Sequence, residues 1–309
     1  MFLRESGRGA TGHRMTGPAV VTSKRRQRRI ALPGPAVAVA LLATLLLAGC
    51  GSFGNSSADK EEVYTPSQSN LASLTEVIEK HPDDPQAYNV RGSVFAESGH
   101  PEQALADFTK AISLDANYAQ AYANRALLYR QAGKLDLALT DYNKALAIDG
   151  SYASAYVGRG IVYRQQGRGV QALGDFNKAI ALKPDDPQAY YNRGLLYQGQ
   201  HQDQFAIDDF STAIGLAAQK AEPRVARALS YLAVGDAKSA AGDLDEAVQM
   251  QPMNLQAWTS RGLAYERLGQ KEKAAGSYAK ALNINEKYEP ARTGFARVGG
   301  KIGQSYQTF

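Results

Sequence analysis

The chain has 309 residues, with 35 Lys+Arg against 30 Asp+Glu, and one cysteine, Cys50. A single cysteine excludes internal disulfides and a cysteine-built zinc site, so the fold must be held by burial alone. Eight of the basic residues and one of the acidic residues precede Cys50, leaving 27 and 29 after it, so the basic balance belongs to the first 49 residues and gives no support for nucleic-acid binding.

Those first residues set a basic block, 24–29, before a charge-free run, 30–49, which ends in Leu47-Ala48-Gly49 ahead of Cys50. A basic region, an apolar region and small residues in that order make a signal segment. The uncharged run also reaches the length of a membrane span. Pro33, Gly34 and Pro35 spoil its first turns and leave an apolar core over 36–48, which is short for a span. The segment resembles a bacterial lipoprotein signal, which implies cleavage before Cys50 and a covalent lipid on it, with no other cofactor. Met15 is an alternative start to Met1. Gly51 after the cysteine, where Asp would direct retention, implies by the sorting logic of such lipoproteins the outer membrane on its periplasmic face, with the inner membrane as the alternative. The polar stretch 50–69 reads as a lipidated, flexible tether with a reach on the order of 20 Å.

Helical patterning begins at 70. Residues 70–80, followed by His81-Pro82-Asp83-Asp84, stand in register with a second repeat helix and predict an N-terminal capping half repeat over 70–84. From 85 to 288 the chain divides into six 34-residue units without insertion or deletion: 85–118, 119–152, 153–186, 187–220, 221–254 and 255–288. The eighth place is Gly or Ala throughout, the eleventh always aromatic, and the twentieth and twenty-seventh always Ala. The fourth place is aromatic except at Arg224. This period and pattern resemble the tetratricopeptide repeat, which implies an all-α, right-handed solenoid of helical hairpins. Small residues on each helix admit large ones from the other, so the aromatic stripe reads as core. Gly at the fifteenth place, with His201 as the exception in the fourth unit, predicts a left-handed residue closing each first helix. Residues 289–298 predict a C-terminal capping helix, and 299–309 a loose tail.

The seventh place is Arg in every unit: Arg91, Arg125, Arg159, Arg193, Arg227 and Arg261. The twenty-third is Asp in five: Asp107, Asp141, Asp175, Asp209 and Asp243, with Ser277 in the last. In a hairpin reflected about its turn these places share one height, which predicts a ladder of forked Arg–Asp pairs that sets helix register. Lacking an Asp in its own unit, Arg261 is expected to face a ligand.

The resemblance places a peptide groove on the first helices. Its ninth-place row reads Ser93, Leu127, Ile161, Leu195, Leu229 and Leu263, suited to an apolar segment of a partner, with packing between first helices as the alternative. Arg130 and Arg164 at the twelfth place flank the row and favour an acidic or C-terminal carboxylate group, and Asn89, Tyr191 and Arg261 complete the candidate wall. The family's chaperone-binding clamp has Lys and Asn where this chain has Asn89 and Ser93, so that clamp is not expected. Pro223 and Arg224 predict a local shift between the fourth and fifth units.

Catalysis has no sequence support. The four histidines, His13, His81, His100 and His201, show no metal-ligand spacing, and no nucleophile elbow or phosphate loop is present. The reading is of a protein-interaction scaffold, not an enzyme, with other envelope proteins as partners, the membrane reached through the lipid anchor, and a homodimer left open. The layout resembles two lipoprotein groups: adaptors that bring a periplasmic protease to peptidoglycan hydrolases, and pilotins or pilus and secretion assembly lipoproteins.

Overall fold

The computed structural model describes residues 66–301 and Tyr306. The signal over 1–49, Cys50 and the tether as far as residue 65 lie outside them. The described residues belong to one compact unit, Glu61–Phe309.

Among the described residues every regular element is an α-helix. Helix α1 (Pro66–Lys80) precedes paired first and second helices: α2 (Pro85–Glu97) with α3 (Pro101–Leu114), α4 (Ala119–Gln131) with α5 (Leu135–Ile148), α6 (Ala153–Gln165) with α7 (Gly169–Leu182), α8 (Pro187–Gly199) with α9 (Asp203–Leu216), α10 (Glu222–Val234) with α11 (Ala237–Met250), and α12 (Leu255–Arg267) with α13 (Lys271–Ile284). Helix α14 (Glu289–Arg297) closes the stack.

The hairpin turns follow from backbone chemistry. Gly99 has φ 78°, and the next amide, of His100, donates to the Phe95 carbonyl at 2.8 Å, a left-handed closure that satisfies carbonyls at the helix end. His201 makes the same closure at φ 57°, the one non-glycine among the described residues to do so.

The two alanine columns are fully buried, from Ala104 to Ala274 and from Ala111 to Ala281. The close approach they permit is taken up by the twenty-fourth place. A Cβ added at Gly160 would stand 2.6 Å from the Phe176 ring, and one at Gly194 2.7 Å from Phe210. The fourth- and eleventh-place aromatics differ from the core reading: Trp258 and Tyr265 are buried, but in the other units they are half-buried and flank the seventh-place arginine. The Arg159 guanidinium lies 5.5 Å from the Tyr156 ring and 5.7 Å from Tyr163, within cation–π range.

Each first helix touches the first helix of the next unit, whereas no two successive second helices are in contact. The stack therefore draws together on the side of α2, α4, α6, α8, α10 and α12, and that side forms the inner wall.

Two boundaries depart from the sequence reading, and a third shows the local shift expected at Pro223 and Arg224. Helix α1 starts at Pro66, four residues inside the expected tether, since Pro is well placed in a first turn. The tail returns to the body at Tyr306, whose ring meets Phe295 edge-on at 5.6 Å and whose hydroxyl accepts from the Lys301 amide at 2.6 Å. In the fifth unit α10 begins one place later than the other first helices. There Arg224 is buried, donates to Glu246 Oε2 at 2.7 Å, and reaches the carbonyls of Ala218 and Lys220 at 2.7 and 3.1 Å, so it fastens the fourth unit to the fifth.

Candidate functional site

The arginine ladder runs through the hairpins. In five units the seventh-place Arg forks onto the twenty-third-place Asp: Arg91 on Asp107, Arg125 on Asp141, Arg159 on Asp175, Arg193 on Asp209 and Arg227 on Asp243, with all Nε···Oδ2 distances at 2.7–2.8 Å. The aspartates are buried. Hydrogen bonds to the carboxylates hold all five guanidinium pKa values above the ordinary arginine range. The third nitrogen, Nη1, bonds back one unit to the twenty-fifth place: Thr75, Thr109, Asn143, Asn177 and Ser211 in turn. The ladder therefore fastens successive units as well as the two helices of each hairpin.

Arg261 corrects the expectation that it faces a ligand. It is 2% exposed. Its Nε donates to Asp245 Oδ1 at 2.6 Å and its Nη1 to Ser277 Oγ at 2.8 Å. Asp245 occupies the twenty-fifth place of the preceding unit, so carboxylate and hydroxyl have exchanged places. A scan within the unit misses the carboxylate; the column Thr75, Thr109, Asn143, Asn177, Ser211, Asp245, short and polar throughout, carried the signal.

On the inner wall the candidates separate. Asn89 is buried: its Oδ1 accepts from Asn124 Nδ2 at 3.0 Å, and Ser93 Oγ donates to its carbonyl at 3.0 Å. Asn89 and Ser93 thus join the first unit to the second and do not present a binding surface. Ile161, Leu195 and Leu263 are half-buried and pack against core clusters that draw on both first and second helices. Leu229 is half-buried. Leu127 is the open member of the row, at 38% exposure. Tyr191 tilts onto Phe210 at 5.8 Å; burial and the charge of Glu222 raise its pKa, against the effect of Arg164.

Arg130 and Arg164 stand one helical turn beyond Leu127 and Ile161, on the same face of α4 and α6. Both are half-buried, and the Nε of each is shielded from solvent without a hydrogen-bond partner. Desolvation lowers the Arg164 pKa, and the charge of Arg130 lowers it further. Beneath Arg130 lies Tyr142, buried, its pKa raised by that burial and drawn back by Arg130. Tyr142 fits because the next first helix has Gly158 beside it, where a Cβ would stand 2.4 Å from the ring.

Elsewhere the twelfth place is occupied by structure. Gln198 donates to Ser230 Oγ and the Ala226 carbonyl at 2.8 and 2.9 Å. Glu266 accepts from Tyr278 at 2.8 Å and pairs with Arg297 of α14. Among the described residues no group of three or more acidic, His or Cys side chains is placed to hold a metal ion, and no helix is long and apolar enough to cross a membrane.

Family models of the tetratricopeptide repeat match residues 85–118, 126–167, 160–200 and 225–290, together more than half of the chain. The chain belongs to the tetratricopeptide-repeat family. No curated protein matches the sequence. Among solved structures, the repeats resemble a chain of the APC/C hetero-tetramer Cut9–Hcn1, with a TM-score of 0.68 at 18% identity over 75% of this chain. This chain spans only 46% of that one. PilF of Pseudomonas aeruginosa has a TM-score of 0.64 at 20% identity, over 70% of this chain and 98% of its own. YrrB, described as a tetratricopeptide protein with an unusual peptide-binding site, has a TM-score of 0.51 at 27% identity over 60% of this chain and 96% of its own. A fold of this kind serves protein–protein interaction. Its ladder and polar clasps hold the repeats together, and the inner wall at α4 and α6 carries the exposed Leu127 beside Arg130 and Arg164.

Proposed function

We propose that this protein is a lipid-anchored interaction scaffold of the bacterial envelope that binds segments of partner proteins on the inner wall of its repeats, around α4 and α6. The observation that carries the reading is the exposed Leu127 beside two arginines whose Nε donors are unfilled, on a wall where Asn89, Ser93, Gln198 and Glu266 are engaged in the fold. The peptide-binding site named for YrrB supports the same use of a similar fold. Anchoring rests on Leu47-Ala48-Gly49-Cys50 behind the basic and apolar segments, and the outer membrane, periplasmic face, on Gly51. We favour the adaptor role, in which a periplasmic protease is brought to peptidoglycan hydrolases.

The test is in-cell crosslinking of the full-length chain with mass spectrometry, alongside a Leu127→Glu, Arg130→Glu variant and a Cys50→Ser variant. A protease or cell-wall hydrolase captured by the native chain and lost in the double variant supports the adaptor. A secretin or pilus component would replace it with the assembly role. Release of Cys50→Ser from the membrane fraction supports the anchor, and its retention there would remove that part of the proposal.

A further inference from the structure

The buried and half-buried arginines of these repeats fall into two classes. Every seventh-place arginine has a carboxylate partner, as does Arg224. Arg130 and Arg164 have none among the described residues. They are partly withdrawn from water, yet each has a donor that nothing in the fold fills. Burying a cation without a counter-charge is costly, and a fold that supplies carboxylates to its other inward arginines leaves these two exposed to whatever lies against the wall.

Their surroundings point to the missing chemistry. Arg130 and Arg164 occupy equivalent places on successive first helices and are close enough for the charge of one to depress the pKa of the other. Leu127 and Ile161 lie one turn away on the same face, and Tyr142 and Tyr191 sit beside them. Tyr and Arg beside aliphatic surface is the composition of energetically dominant interface centres. Glu222 and Glu266 stand on α10 and α12. Glu222 is engaged by Gln251 and Glu266 by Arg297, so neither supplies a counter-charge to Arg130 or Arg164.

We propose that the wall at α4 and α6 takes an extended segment of another protein carrying two side-chain carboxylates, one for each of Arg130 and Arg164, next to an apolar residue on Leu127. The proposal rests on the inner wall being the binding surface and adds the chemistry of its occupant. Packed helix axes lie about 8–10 Å apart and an extended chain rises about 3.3 Å per residue, so the two carboxylates belong two or three residues apart. Carboxylates meet the half-buried guanidinium groups, which have no counter-charge in the fold, as charge-assisted hydrogen bonds, roughly twice as strong as neutral ones.

The experiment selects binders from a library of short random peptides on the full-length chain in detergent. It then measures affinities of the enriched peptides, their Glu→Gln and Asp→Asn forms, and their C-terminally amidated forms, against native chain, Arg130→Gln/Arg164→Gln and Leu127→Glu. The proposal expects enrichment of paired acidic residues beside an apolar one, binding at least about tenfold weaker after either neutralisation, and no further loss when both sides are neutralised. Enriched peptides without acidic pairs that still lose binding in Leu127→Glu would overturn the occupant's chemistry and leave the inner wall in place. Loss on amidation alone would overturn it in favour of a chain terminus. Peptides that bind all three chains equally, or no enrichment, would overturn both the occupant and the wall.

Discussion

The forked Arg–Asp pairs are where a single atom group costs most. In Arg159–Asp175 the side chains are 19% and 8% exposed, so Asp175→Ala leaves a largely buried guanidinium without its counter-charge. We expect a loss of about 3 kcal/mol, seen as a shifted urea midpoint and faster amide exchange in α6 and α7. Glu246→Ala removes a carboxylate 60% exposed from Arg224 and should cost less than Asp175→Ala, because that guanidinium keeps the carbonyls of Ala218 and Lys220. His201 makes the complementary case. It holds the left-handed conformation that Gly takes in the other units, and His201→Gly should stabilise by roughly 0.5–1 kcal/mol, read as a higher midpoint. The pairing of Arg159 with Asp175 was legible in the sequence because both residues recur at fixed places of one unit. The partner of Arg261 was not, because Asp245 lies across a unit boundary and only the alignment of columns between units reveals it.

At the scale of the helix, the Tyr142–Gly158 contact shows how one element dictates its neighbour. A ring with a hydroxyl at the twenty-fourth place is followed by Gly at the sixth place of the next helix, and this occurs twice: Tyr142 with Gly158, and Tyr278 with Gly294, where an added Cβ would stand 2.3 Å from the ring. Gly158→Ala should cost about 1–3 kcal/mol by overpacking. In combination with Tyr142→Leu it should show a coupling of at least about 0.5 kcal/mol, measured as a double-mutant cycle. The last helix depends on charge. Arg297 of α14 bonds Glu266 and lowers its pKa from the ordinary 4.5. A carboxylate depressed in the folded chain contributes stability that is complete above its unfolded value and lost as pH falls through the folded one. The docking of α14 should therefore hold above about pH 4.5 and loosen below it, visible as faster exchange of the α14 amides, while Glu266→Gln should remove the pH dependence. The helix spans followed closely from glycine and alanine periodicity. The start of α1 at Pro66 did not, because residues 66–69 have no apolar period to mark them.

Over the whole molecule, contact between successive first helices and its absence between second helices curves the stack toward the α2–α12 side. That curvature gives the ninth and twelfth places a common inner surface. Sequence alone placed Leu127, Arg130 and Arg164 there through a family resemblance. It could not separate them from Ile161, Leu195, Leu263, Asn89 and Arg261, because burial within a solenoid depends on what the next unit brings against each residue. The central claim is that partners meet this inner wall at α4 and α6. The direct measurement is site-specific photo-crosslinking in cells, with the photoreactive residue at position 127 on the inner wall or at position 170, where Val170 is 86% exposed at the start of a second helix. The account predicts a partner adduct from 127, abolished by Arg130→Glu, and none from 170. An adduct from 170 with none from 127 would contradict it.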